Sequence, residues 1–368
     1  MNKLIIIGNG FDLAHGLKTS YSDFIYWYFD DLFSKLKENE DSEYNDGLFH
    51  FSVNKRNKEF KKLKDFSPNK NFFREGICLF DSIRNNGNEM DIKISNLLEK
   101  ILINMSIEGW VDIENEFYKL LLEYLSSSLY DDSLIRDLNM CLKNIQGKLV
   151  EYLNIIEKVE IQKKESIDKK IFSPIKDNEI CASLKGGGLS KIPGMSFIPD
   201  EITPQNTMIL NFNYTSTAEK YFDSDWINFT INYIHGKLDK PENIIFGYGD
   251  ELDDNYSKLE KYPSNKCLDN IKSIRYSETP NYRRMLEFIE SDVFQVCIMG
   301  HSCGNSDRTL LNTIFEHKNG VSIKPYYYIK EDGTDNYSEL VQNISRNCKD
   351  KQLMRDRLVN KEYCETIK

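Results

Sequence analysis

Lys3-Leu4-Ile5-Ile6-Ile7-Gly8-Asn9-Gly10-Phe11-Asp12-Leu13-Ala14-His15-Gly16 is the stretch whose reading decides the fold. A short run of branched apolar residues that stops at Gly-Asn-Gly and then changes to helical spacing is the pattern of a buried parallel strand, a tight turn and a helix. Gly8 and Gly10 let backbone N–H groups come close to a ligand, and a helix that follows offers the positive end of its dipole to an anion. Leu13 stands where the dinucleotide fingerprint Gly-x-Gly-x-x-Gly has its third glycine, so the motif alone also fits a structural turn that binds nothing.

Outward from this stretch, strands and helices alternate. Thr207-Met208-Ile209-Leu210-Asn211-Phe212, Phe229 to Ile234, Ile244-Ile245-Phe246, Val293 to Met299 and Ile323 to Ile329 read as strands. Helices are expected near Tyr282 to Glu290, Asp307 to His317 and from Tyr337. This order predicts an α/β protein with a doubly wound, mostly parallel sheet. Ser20-Tyr21-Ser22-Asp23 resembles a capping box and opens a helix with Phe24, Tyr28, Leu32 and Leu36 on one face.

Residues 38–199 are expected to form a helical insertion between the core segments 1–37 and 200–368. Residues 38–90 are polar and Asn/Lys-rich and read as loops and short helices. Helices follow near Asp91 to Asn104 and Asp112 to Leu125. From Asp132 to Glu165, Ile135, Leu138, Leu142, Ile145, Leu149, Leu153, Ile156 and Val159 keep three-four spacing. That is one long amphipathic helix, suited to a bundle or to self-association. Gly186-Gly187-Gly188 and four prolines mark residues 173–204 as a flexible connection. The polar stretch from Asp250 to Thr279 reads as a long loop or lid.

A chain of 368 residues with 40% hydrophobic and 29% charged residues has the composition of a globular protein with a large core. Its net charge of −10 argues against a broad surface for duplex nucleic acid. The basic run Lys55 to Lys64 is broken by Glu59, Phe60 and Leu63, as in a solvated helix face. Only four consecutive apolar residues precede Gly8 and no window approaches the ~20 needed to span a bilayer, so neither a secretory segment nor a membrane anchor is expected. The eight cysteines contain no Cys-x-x-Cys pair, so no zinc site or disulfide framework is implied. A cytoplasmic protein with reduced thiols is expected.

In a doubly wound sheet, ligands bind beyond the carboxyl ends of the strands. Four turns occupy that position: Gly8-Asn9-Gly10-Phe11-Asp12, Asn211-Phe212-Asn213-Tyr214-Thr215, His235-Gly236, and Gly300-His301-Ser302-Cys303-Gly304-Asn305-Ser306-Asp307. They would surround one cleft with small residues, amides, hydroxyls, imidazoles and carboxylates, a lining suited to a polar, phosphate-bearing ligand. His15, His50 and His317 read as structural or exposed. Gly300-His301-Ser302-Cys303-Gly304 also matches the Gly-x-Ser-x-Gly nucleophile elbow. The later His317, however, precedes the candidate acids Asp332 and Asp335, the reverse of the elbow's order of acid before histidine.

Ile7-Gly8-Asn9-Gly10-Phe11-Asp12-Leu13-Ala14-His15-Gly16, Thr19-Ser20-Tyr21, Trp110-x-Asp112-x-Glu114, Asn211-Phe212-Asn213-Tyr214-Thr215, and Gly300-His301-Ser302 with Asp307 together resemble the AbiH family of bacteriophage abortive-infection proteins. A more distant resemblance is to the Rossmann-like, sirtuin-like NAD-binding fold, with its Gly-x-Gly, Gln-Asn-x-Asp, His-Gly and Gly-x-Ser series. This second resemblance implies NAD as ligand or substrate, no metal, and catalytic roles for Asn213 and His235, about twenty residues apart. Gly8, Asn9, Gly10, Phe11, Asp12, Asn211, Thr215, Gly300, His301, Ser302 and Asp307 would form the nucleotide-binding set. Phe212 and Thr215 depart from the series, standing where it has Gln and Asp. Only Cys267 and Cys297 lie between His235 and Gly300, so the zinc module of deacetylating sirtuins is missing.

The implied function is therefore that of an antiphage protein hydrolysing the nicotinamide–ribose bond of NAD, triggered by a phage component. The alternative is a non-enzymatic nucleotide sensor that signals through its helical insertion or through oligomerisation.

Overall fold

The computed structural model describes residues 1–38, 43–53, 90–108, 111–126, 132–185, 199–222 and 228–368. The basic run at 55–64, Trp110 and the glycines at 186–188 lie outside the described residues. The chain divides into two compact units, Met1–Leu17 with Ile156–Ser257 and Ile271–Lys368, and Lys18–Ile155 with Lys258–Asn270. The division groups residues 18–37 with the second unit and 156–199 with the first, whereas the sequence reading places its boundaries at 37/38 and 199/200.

In the first unit, β1 (Asn2–Ile7) is buried at every position and feeds α1 (Asn9–Ala14). In the second, α2 (Tyr21–Glu38) starts at the expected capping box: Ser20 Oγ accepts the Asp23 N–H at 3.1 Å and donates to Asp23 Oδ2 at 2.5 Å. Residues 43–53, expected to be loops or short helices, are instead β2 (Glu43–Asn45) and β3 (Phe49–Val53). Asp46 accepts the N–H groups of Leu48 and Phe49, and Gly47 takes a φ of +82° in the turn. Next is β4 (Met90–Ile94), a strand where a helix was expected to begin, and the three form an antiparallel sheet in the order β2-β3-β4. Phe49 and Phe51 on β3 are buried, and that burial fixes the strand's face.

α3 (Asn96–Glu108), α4 (Ile113–Ser126) and α5 (Asp132–Ile156) follow. The three-four stripe on α5 is buried from Ile135 to Ile156, but the helix ends there and does not reach Glu165. Val159 is 52% exposed, so the stripe has lost its packing partner. Glu157 instead turns to accept the N–H and hydroxyl of Ser216, both in the first unit.

α6 (Glu165–Phe172), β5 (Ile175–Lys176), α7 (Ala182–Lys185) and β6 (Glu201–Ile202) come next. The described parts of 173–204 are more than a connection, because β5 pairs with β6 and Ile175, Ile180, Cys181, Leu184 and Ile202 form a small core with Met1, Val293 and Val321. The central sheet continues with β7 (Thr207–Asn211) and β8 (Phe229–Tyr233). Ile244-Ile245-Phe246 is buried as an apolar run should be, but it is not a strand. The sheet ends at β8, and the Ile245 N–H bonds to the His235 carbonyl beyond that strand's end. The expected lid is partly helical, with α8 (Tyr256–Lys261) and α9 (Lys272–Arg275). Then come α10 (Asn281–Ser291), β9 (Phe294–Met299), α11 (Arg308–Phe315), β10 (Gly320–Tyr326), α12 (Tyr337–Asn347) and α13 (Lys351–Arg357).

The five core strands run parallel in the order β10-β9-β1-β7-β8. Alternate residues serve opposite faces. Leu4, Ile6, Leu210, Val296 and Ile298 pack with Ile289, Leu311, Ile314 and Ile344 of the helices on one side. Ile5, Ile7, Ile209, Cys297 and Met299 pack with Phe11, Ile167, Ile171 and Tyr221 on the other. Both faces are covered, which makes this a doubly wound, Rossmann-like α/β fold. From β1 the chain builds outward through β7 and β8, then crosses back to β9 and β10. The direction of winding reverses between β1 and β9, the place where such sheets hold ligands. Among the described residues, no helix is long and apolar enough to cross a membrane.

Candidate active site

At that reversal the turns after β1 and β9 press together. The Gly10 N–H donates to the Gly300 carbonyl at 2.8 Å. A Cβ on Gly8 would lie 2.8 Å from His301 Cδ2, and one on Gly300 only 2.2 Å from the Phe11 nitrogen, with Gly300 at a φ of +77°. The glycines are thus required by the approach of two backbones, and the Gly10 N–H is committed within the protein. The side chain of Phe11 is wholly buried against His15 and Tyr221, and its N–H donates to the Gly8 carbonyl at 2.8 Å. Asn9 is exposed.

The turn after β7 is organised by Asn211, wholly buried, whose side chain accepts the Asn213 N–H at 2.8 Å and donates to the Thr215 carbonyl at 3.3 Å. This Asx turn aims Asn213 back at β1, where its Nδ2 donates to the Gly8 carbonyl at 2.9 Å. The amide orientation is thereby set, and Oδ1 is the end left to accept. Thr215 Oγ1 donates to Asp12 Oδ2 at 2.6 Å. Burial pushes the Asp12 carboxyl up to about 6, although the Thr215 bond works the other way. Asp12 Oδ1 is buried with no hydrogen-bond partner.

The turns after β8 and β9 converge on a carboxylate. His235, 4% exposed, lies edge-on to Phe212 and parallel to Tyr276. Its Nε2 is 3.3 Å from the Tyr276 hydroxyl and 3.3 Å from Asp307 Oδ1. Lys272 Nζ, from α9, bonds to the same oxygen at 2.8 Å. His301 packs on the other edge of the Phe212 cluster, with Nε2 3.6 Å from Asp307 Oδ2. Its Nδ1 accepts the Cys303 N–H at 3.0 Å, so the ring's proton belongs on Nε2. Cys303 carries a φ of +54°, a strained conformation for a residue with a Cβ. Asn347 and Asn343 hold the turn by donating to the Cys303 and Ser302 carbonyls. Ser302 is exposed.

Burial alone would raise the Asp307 carboxyl. The Lys272 ammonium and the imidazole beside it hold it well below the usual carboxylate range. His235 is shifted down, first by burial and then by Lys272, against the pull of Asp307. The imidazole is neutral near pH 7, with Nε2–H toward Asp307 and Nδ1 as its basic atom. A ring oriented by a carboxylate in this way is the arrangement of a general base.

The residues singled out from sequence therefore fall into two neighbouring groups. Asn213, Gly8, Asp12, Asn211 and Thr215 form one, and His235, His301 and Asp307 the other. Gly8 and Phe212 join them: Gly8 meets both Asn213 and His301, while the Phe212 ring touches both imidazoles. The bonds of Asn213 run to Gly8 and Asn211, those of His235 to Asp307 and Tyr276. Lys272 and Tyr276 escaped the sequence reading, since nothing distinguishes them within the polar stretch 250–279. His15 bonds to the Phe11 carbonyl and Tyr221 hydroxyl, and His317 to Glu290.

A family model described as bacteriophage abortive infection AbiH matches residues 4–328. The chain belongs to the AbiH family. The AbiH match takes in all four strand-end turns together with Lys272 and Tyr276, and ends before α12. No curated protein matches the chain, and no solved structure does.

Proposed function

We propose that this AbiH protein binds NAD or a closely related nucleotide at the carboxyl edge of its sheet and hydrolyses the nicotinamide–ribose bond during abortive infection. The observation that carries the proposal is the meeting of four strand-end turns at the winding reversal between β1 and β9, with a carboxylate-oriented neutral imidazole beside them. The distant sirtuin-like resemblance adds Asn213 and His235 at the expected separation. Free cysteines at every described position suit the cytoplasm.

The reaction asks little of the protein beyond position and one proton acceptor. A water held by Asn213 Oδ1 attacks the ribose anomeric carbon as the bond to the pyridinium nitrogen breaks. The bonding electron pair leaves with neutral nicotinamide, and the water's proton passes to His235 Nδ1 and then to solvent. ADP-ribose is the other product. Positioning of the water and the proton transfer supply the acceleration.

Purified protein is incubated with NAD, with and without a lysate of phage-infected cells as trigger, and nicotinamide is quantified. Wild type releases nicotinamide, and Asn213→Ala and His235→Ala each lower the rate by ~10²-fold or more while keeping their circular dichroism. Absence of release under every condition, or an Asn213→Ala rate equal to wild type, refutes hydrolysis. The near-complete burial of His235 and the commitment of the Gly10 N–H favour a second reading, binding without cleavage. Calorimetric binding of NAD or ADP-ribose without turnover would support that sensor function, and absence of binding would remove it.

A further inference from the structure

The charges in the buried cluster divide the labour of holding His235. Facing His235 are Lys272 and Tyr276 from the segment at 271–278, and Asp307 and His301 from the turn after β9. The Lys272 side chain is 1% exposed, and the side chains of His235, His301 and Asp307 are at most 11% exposed. The Lys272 ammonium and the Asp307 carboxylate cancel. Protonating the His235 ring would add a net positive charge in a buried space, which is costly.

We propose that Lys272 and Asp307 are a matched pair of positioning residues for His235: the carboxylate turns Nε2–H inward, and the ammonium on the same oxygen keeps Nδ1 unprotonated at neutral pH. The inference rests on the reading of His235 as the group that accepts a proton. Asp307 alone would orient the ring but would also draw a second proton onto it. Lys272 Nζ, at 2.8 Å from Oδ1 against 3.3 Å for the imidazole nitrogen, already satisfies that carboxylate. If the ammonium is removed, the cluster regains neutrality by taking up one proton. His301 is poorly placed to take it, because its Nδ1 is occupied by the Cys303 N–H. The proton goes to Nδ1 of His235, and the base is lost.

The test uses the full chain with ¹⁵N-labelled histidine, its ring signals assigned by loss of one set in His235→Gln. In wild type at pH 7, the nitrogen shifts of His235 report the neutral Nε2–H tautomer. Lys272→Met raises the His235 pKa by about one unit or more, a tenfold or greater gain in proton affinity. Lys272→Arg, which keeps the charge, leaves it within about half a unit of wild type. The acid limb of nicotinamide release moves up in pH with the imidazole in Lys272→Met. A wild-type His235 that is doubly protonated or in the Nδ1–H tautomer at pH 7 overturns the proposal, without need of any variant. So does a folded Lys272→Met protein with an unmoved imidazole pKa. The ring signals are read without NAD, so failure of the proposed hydrolysis and failure of this inference are separate results.

Discussion

Two buried charge clusters sit in the same unit of this protein, and their wiring differs. Midway along β9 and β10, Lys324 Nζ meets Glu179 at 2.6 Å, while Gln295 donates to the other Glu179 oxygen at 2.9 Å and contacts Ser322. Nearby, Lys3 of β1 donates its ammonium to the carbonyls of Ile171 and Ser173 at the end of α6, where the helix dipole favours a cation. Burial works against the charge on Lys324, but Glu179 more than offsets it and the pKa rises. Each cation there has its own acceptors. At the carboxyl edge, one carboxylate is shared among Lys272, His235 and His301, the turn beside it holds Cys303 at a positive φ, and backbones touch through glycine. Fully paired charges fasten a fold. A shared carboxylate beside the neutral His235 imidazole is a place where a proton can be moved.

The largest effect that would test this contrast is loss of the mid-sheet pair. Glu179→Gln leaves the buried Lys324 ammonium with only the half-exposed Glu365 carboxylate 3.5 Å away, and should destabilise the first unit by about 3 kcal/mol in urea unfolding, with nicotinamide release per folded molecule unchanged. Loss of turnover without loss of stability would erase the distinction between the clusters. Gly300→Ala is next. Its Cβ would meet Phe11 N at 2.2 Å at a φ of +77°, so about 2–5 kcal/mol should be lost in the same assay. A neutral result would mean that the β1 and β9 turns do not need to touch.

Asp12 sharpens the comparison through pH. Its carboxyl titrates near 6 in the folded protein against an ordinary 3.8. Below about pH 4 it is neutral in both folded and unfolded chains. Between about pH 4 and 6 the unfolded chain releases the proton first, so the contribution falls as pH rises and is lost above the folded value. Asp12→Asn has no such dependence. Its stability relative to wild type should therefore rise by about 2.5 kcal/mol from pH 4 to pH 7, read from urea midpoints across that range. Parallel curves would show that Asp12 is solvated. The smallest effect belongs to His317, which pairs with a Glu290 side chain that is 52% exposed. His317→Gln should change stability by less than about 0.5 kcal/mol, setting the scale for an imidazole–carboxylate pair that is screened by water.

Much of the core was legible because it is local. β1, β7, β8 and β9 are short apolar runs ended by polar turns, and their alternation with helices implies a parallel sheet. The long three-four stripe ending at Ile156 was legible as well. Its overextension to Glu165 came from Val159, apolar but exposed, which keeps the spacing without having anything to pack against. Ile244-Ile245-Phe246 has the composition of a strand and lacks a neighbour to pair with. The β2–β3 hairpin was hidden because Tyr44, Phe49 and Phe51 are few among polar residues.

The site divides the same way. Asn213, His235 and Asp307 stood out as polar residues after strands. The actual partner of the Gly10 backbone is Gly300, almost three hundred residues on, and no local pattern announces that contact. Lys272 is likewise one lysine among many until the fold sets it against Asp307.

The most direct measurement is a crystal structure of the protein determined with NAD at saturating concentration, using His235→Gln to slow turnover. The nicotinamide ribose should lie between the Asn213 amide and residue 235 at the carboxyl edge, beside the seam of Gly8, Gly10 and Gly300. NAD bound elsewhere on the molecule, with that edge unchanged and closed, would contradict the assignment of the site.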